Sequence, residues 1–146
     1  MTGKRLFDFR MPAAAVCSAA HNIEDALKIA KSLSNGEDFV QLMAYSVRMP
    51  KRLLPAYLNV MLRLREGSIT SKSTSMEMLL LACGKSDIRA AISKCGAKEG
   101  KMAIVFASAP SLLSNFLDLA GMKAIKQIKL KIDFKEANAV ALAQLR

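Results

Sequence analysis

Cys17, Cys83, Cys95, His21, Glu77 and Asp87 are the residues of this chain with chemistry to offer, and their spacing decides what that chemistry can be. A nucleophile needs a base within hydrogen-bond reach and a third group to orient that base. Lys94 beside Cys95 would favour a thiolate, but no histidine or orienting acid lies near it in sequence. His21 precedes Asn22 at a helix start and reads as a solvated or locally bonded ring; one histidine cannot build a metal site by itself. Three cysteines without C-x-x-C spacing imply neither a disulfide framework nor a zinc site, so they are read as reduced, mostly buried thiols. No Ser-His-Asp, metal or phosphate-loop arrangement is visible. The chain is therefore expected to carry no catalytic residue, no metal and no cofactor.

Charge is the stronger signal. The chain has 146 residues, with 22 Lys and Arg against 12 Asp and Glu, a formal net charge of +10. Such an excess attracts polyanions through long-range fields and counterion release. Nucleic acid or an acidic protein surface is the expected partner. The most organised stretch, STSMEMLLLACGKSDIRAAISKCGAKEG from Ser73 to Gly100, sets a capped apolar helix, a glycine break and a short cationic helix in succession. A helix start close behind a glycine offers unpaired N–H groups to an anion. Lys85 and Arg89 strengthen that feature; with Lys72, Gly84 and Lys94 they are the candidate RNA-binding residues under the family resemblance given below, the cations for phosphates and Gly84 for close backbone approach. Read from the residues alone, the same pattern also describes an ordinary helix-turn-helix with solvated lysines.

The elements that must position these residues alternate between strand-like and helix-like. Lys4 to Arg10 and Ala13 to Ser18 suggest two strands joined at Met11-Pro12. Asn22 caps a helix that turns Ala26, Leu27, Ile29, Ala30 and Leu33 inward and ends at Gly36. Phe39 to Tyr45 has strand length. Leu53, Leu54, Tyr57, Leu58, Met61 and Leu62 recur at helical spacing up to Gly67, with Pro55 expected near the first regular turn. Thr74-x-x-Glu77 fits a capping box, with Met76, Leu79, Leu80 and Cys83 as the buried face. Ser86 opens the next helix, carrying Ile88, Ala91 and Ile92 inward to Gly96. Met102 to Ala107 reads as a strand and Ser111 to Ala120 as a helix closed by Gly121. Residues 123–132 fit either period, with strand favoured from Ile128 onward. Asp133 and Glu136 open a terminal helix with Phe134, Ala137, Val140, Ala141 and Leu145 on one side and Leu142 off it.

One domain, residues 1–146, is the expectation from length and composition. At 52% hydrophobic and 23% charged residues, the chain is set apart from a disordered tail. Asp8 and Arg10 interrupt any signal-peptide core. The longest uncharged apolar run, Met102 to Leu117, contains Pro110 and falls short of the roughly 20 residues a bilayer requires. A cytoplasmic protein without membrane attachment is expected.

Lys51 to Gly100 resembles the family of the small KEOPS subunit that includes the PRPK-binding protein TPRKB. The matching residues are Lys51, Leu54 and Ala56, then Ser75, Glu77 and Gly84, the spaced Ile88, Ala91 and Ile92, and Gly96-Ala97. They span about a third of the chain, and most are core, cap or turn positions. The resemblance implies an α/β (α+β) fold with a mixed β-sheet flanked by several helices in a single compact domain. It also implies a non-catalytic subunit of the KEOPS complex, which places threonylcarbamoyl on the adenosine after the anticodon of ANN-decoding tRNA. Members bind the complex's atypical kinase/ATPase subunit and, in archaeal-type versions, help recruit tRNA through its 3′ CCA end. Apolar helical patches, including C-terminal ones, hold the kinase; here Leu142 and Leu145 are the candidates. Two rivals stand beside this reading: a small enzyme built on Cys95, Glu77 or Asp87, and a general basic nucleic-acid-binding module without a kinase partner. Against the second, aromatics are only 5% of the chain and no RNA-module signature is present.

Overall fold

The structure, a computed structural model, describes residues 11–69 and 71–131. The expected strand at Lys4 to Arg10 and the terminal helix with Leu142 and Leu145 lie outside these residues. Nine elements follow in the order β1 (Ala13–Cys17), α1 (Ile23–Leu33), β2 (Val40–Ala44), α2 (Met49–Glu66), α3 (Thr74–Cys83), α4 (Ile88–Cys95), β3 (Ala103–Ala107), α5 (Pro110–Ala120) and β4 (Ala124–Gln127). The fold is α+β: one four-stranded sheet in the order β2-β3-β1-β4, with five helices around it. A mixed sheet was expected; the described pairings are all antiparallel.

Strand side chains alternate between two cores because successive residues point to opposite faces. Ala14, Val16, Met43, Ile104 and Phe106 face one side and pack with α2, α3 and α4. Ala13, Ala15, Cys17, Val40, Leu42, Val105 and Ala107 face the other, with Ala26 and Ala30 of α1 and Leu113 and Phe116 of α5. With both faces covered, β1 and β3 are buried at every position, which explains why they read as unbroken apolar runs. Phe39, Tyr57 and Phe106 form an aromatic triangle in the first core, with ring centroids 5.5–6.2 Å apart.

Several boundaries differ from expectation for identifiable reasons. Asn22 caps α1 as expected, its side chain accepting from the Asp25 N–H, but α1 ends at Leu33 with Ser34 as C-cap. Leu27 lies on the exposed side. Pro55 sits inside α2, not in its first turn, which is occupied by Pro50. The cap of α3 is Ser73, whose Oγ accepts from the Met76 N–H at 3.2 Å; Thr74 instead donates to the Gly36 carbonyl at 2.9 Å. Asp87 rather than Ser86 caps α4, accepting from the Ala90 N–H. Ile92 is 45% exposed, because only Ala91 and Cys95 of α4 are fully buried. The strand expected from Ile128 onward lies earlier instead: β4 ends at Gln127, residues 128–131 are outside any strand, and Ile128 adds one more backbone bond, to the Ala14 carbonyl.

Helix α3 is the centre of the first core. Glu77 to Cys83 are all buried, so this helix has no solvent face at its C-terminal half. The buried carboxylate of Glu77 is held by the Arg63 guanidinium of α2 and by the N–H and hydroxyl of Ser71, at 3.0 and 2.8 Å. The box expected at Thr74 and Glu77 is thus split. Ser73 caps the helix, and Glu77 is an interior anchor between α2 and α3.

Candidate nucleic-acid interface

Two cationic regions flank the first turns of α2. The first is the rim around Gly84, where α3 meets α4. Gly84 closes α3 with φ +73°, a conformation that side chains resist. Its N–H donates to Leu81 and the Lys85 N–H to Leu80, the pattern of a Schellman cap. The orphan carbonyls of Ala82 and Cys83 accept from Arg52 Nη1 at 3.2 and 3.4 Å. Close backbone approach at Gly84 is therefore taken up within the chain: a Cβ there would lie 3.4 Å from that guanidinium.

A disulfide joins Cys83 at the end of α3 to Cys95 at the end of α4. This corrects the reading of both as reduced thiols. The 12-residue spacing hid the pair because only the packing of α4 against α3 brings their last residues together, with the two Cα atoms 6.0 Å apart. Gly96 follows directly, and a Cβ on it would stand 2.5 Å from the Ile92 carbonyl oxygen, so the exit from α4 requires glycine. Cys17 is the remaining cysteine and is buried in the second core. Burial pushes its thiol up to about 11, against a weaker opposite effect of its hydrogen bond with the Val105 backbone. Such a thiol is a poor nucleophile at neutral pH. Neither Cys95 nor Glu77 is open to substrate, and Asp87 is engaged as a cap.

Lys85, Arg89 and Lys94 are all exposed, but they do not converge on one point. At about 100° and 1.5 Å per residue, Arg89 and Lys94 stand roughly 140° apart around α4. Lys72 precedes the N-terminus of α3, about 15 Å along that helix from Gly84, and does not join the rim. Of the N–H groups expected to await an anion at the start of α4, that of Ala90 is met by the Asp87 carboxylate.

The second region was not singled out from the sequence. Val16, Tyr45, Pro50, Lys51, Lys126, Gln127, Ile128, Lys129 and Lys131 line an open groove of about 270 Å³. Lys126 pairs across the sheet with Val16, and Ile128 lies two residues on. Cross-strand neighbours share a face, so both flank the side of the sheet covered by α2. The first turn of α2 closes the groove with Pro50 and Lys51, and the link from β2 presents Tyr45, 44% exposed. The four lysines are exposed and form no ion pair with a described residue. Among the described residues, the lining contains no acid. The signal was present in the KQIKLKI stretch, whose alternation puts lysines along a strand margin; that Lys51 and Tyr45 meet them is a tertiary fact.

Neither a protein-family model nor a curated protein matches this chain. Among the described residues, no group of His, Cys, Asp and Glu could hold a metal ion, and no helix is long and apolar enough to cross a membrane.

Proposed function

We propose that this chain is a non-catalytic accessory subunit of the KEOPS type, working in the cytoplasm, which binds the complex's atypical kinase/ATPase subunit and helps recruit tRNA through its 3′ CCA end. The observation that carries this reading is the α3–α4 hairpin, the heart of the resemblance. Its inner face is packed into the first core and its mouth is tied by Arg52 and the disulfide, while Lys85, Arg89 and Lys94 stand outward. A rigid support with mobile cations suits a flexible nucleic-acid end, since phosphates are gripped without reorganising the fold. The disulfide bears on location. Such bonds persist in oxidising compartments and in the cytoplasm of hyperthermophiles.

The test has two arms. Co-purification of the tagged chain with the endogenous atypical kinase is expected; reproducible recovery of a different assembly overturns the assignment. In the second arm, Lys85→Glu combined with Arg89→Glu should weaken binding of intact tRNA and lower its salt slope, with CCA-trimmed tRNA bound less tightly by the parent protein. Equal affinity for intact tRNA, trimmed tRNA and duplex DNA would instead indicate a general nucleic-acid-binding module.

A further inference from the structure

We infer that the groove between β4 and the first turn of α2 is a binding site for one unpaired nucleotide of a nucleic-acid strand, with its base on the Tyr45 ring and the flanking phosphates on Lys51, Lys126, Lys129 and Lys131. This inference stands on the groove alone and does not depend on the family reading.

Size comes first. About 270 Å³ is at the lower end for small-molecule pockets, which run from roughly 300 to 1,000 Å³. That suits a single base with its sugar and excludes a duplex, whose bases are already stacked and paired. The open form of the groove lets a strand enter and leave along its length.

Chemistry comes second. Single-strand sites combine a cationic track for the backbone with an aromatic face for a base. Tyr45 supplies the face: it is half exposed and is the aromatic residue in the lining. Val16, Pro50 and Ile128 supply an apolar floor. The four lysines supply the track, Lys126 before Ile128, Lys129 and Lys131 after it, and Lys51 from α2.

The backbone field agrees in sign. Pro50 and Lys51 belong to the first turn of α2, an 18-residue helix whose N-cap, Arg48, makes no side-chain cap bond. A helix N-terminus carries a partial positive charge, and here it adds to the lysines.

The test uses the full chain and a fluorescein-labelled eight-nucleotide oligouridylate, read by anisotropy at several salt concentrations. Lys126→Glu with Lys129→Glu should weaken binding at least tenfold and reduce the salt slope by about 1.4, at roughly 0.7 per phosphate contact for single strands. Tyr45→Ala should weaken binding roughly fivefold or more, as loss of one stacked base does, and Tyr45→Phe should restore it. Lys28→Glu with Lys31→Glu, the same charge change on α1 at the opposite face of the sheet, should leave oligouridylate affinity within twofold, which separates this site from a general charge effect. Inorganic polyphosphate of equal charge should compete poorly. No binding by the full chain, indifference to Tyr45→Ala, or equal competition by polyphosphate would each overturn the proposal. Thermal unfolding of each variant within a few degrees of the parent confirms that the exposed substitutions leave the fold in place.

Discussion

The rim at Gly84 and the groove at Tyr45 are both cationic, and both border the first turns of α2, yet their backbones have opposite signs. At the rim, the C-terminal end of α3 contributes partial negative charge, and the carboxylate of Asp87 caps α4. Arg52 is used in satisfying the α3 carbonyls. In the groove, the N-terminal end of α2 adds positive charge to four lysines, and the described lining holds no acid. A count of cations separates the two by little, Lys85, Arg89 and Lys94 against four lysines, while the field they produce separates them clearly. Adjacent residues show how finely this is divided: Lys51 lines the groove and Arg52 reaches Gly84.

A second contrast is mechanical. The rim grows out of the core, and the groove lies at its margin, so damage to the interior should reach the rim first. The largest expected effect is from Arg63→Met. Glu77 is fully buried, whereas the Arg63 side chain is 21% exposed, so removing the arginine takes a paired cation from a carboxylate with no access to water. Urea unfolding should show a loss of about 3–5 kcal/mol. Arg63→Met with Glu77→Leu should recover much of this, because the uncompensated charge is gone.

Next is the disulfide. Replacing Cys83 and Cys95 with serine should cost about 3 kcal/mol for a loop of this length, again by urea unfolding. Amide exchange should quicken at the ends of α3 and α4 and stay unchanged at β4. Equal quickening at both would break the distinction between rim and groove.

A smaller effect sharpens the electrostatic contrast. Asp87→Asn keeps a residue that caps as well as aspartate and removes its charge. Affinity of the rim for intact tRNA should rise roughly two- to fivefold, and oligouridylate binding in the groove should not move. The smallest effect concerns Cys17. Its folded thiol is raised to about 11 from a usual 9.0, so the unfolded chain ionises first as pH rises. The resulting stabilisation is whole below pH 9 and is lost as pH climbs towards about 11. Unfolding curves of the parent and Cys17→Ala should differ in slope across that window and run parallel below it.

Much of the architecture was legible in the sequence. Asn22 announced α1, and the glycines at 67, 84 and 121 marked the ends of α2, α3 and α5, because a left-handed residue closes a helix wherever that helix packs. The strands β1, β2 and β3 followed from short apolar runs. Position 123–132 was not decidable, since Ile125 and Ile128 keep helical steps while Ile128, Leu130 and their lysines alternate. Pairing with β1 settled Ala124–Gln127 as strand.

Local signals, caps and turns, depend on a few neighbouring residues, so the sequence by itself determined the order of the elements, the α+β class and the cationic character of the hairpin. What depends on residues far apart in the chain was decided by tertiary structure. Thr74-x-x-Glu77 looked like a local cap, but burial against Arg63, 14 residues away, made Glu77 an anchor, because a carboxylate removed from water must take the nearest fixed cation. The disulfide needed the packing of two helices to bring their last residues, 12 apart in sequence, within 6.0 Å. The groove needed Tyr45, Lys51 and Lys126 to meet from three elements, and no spacing along the chain encodes that meeting.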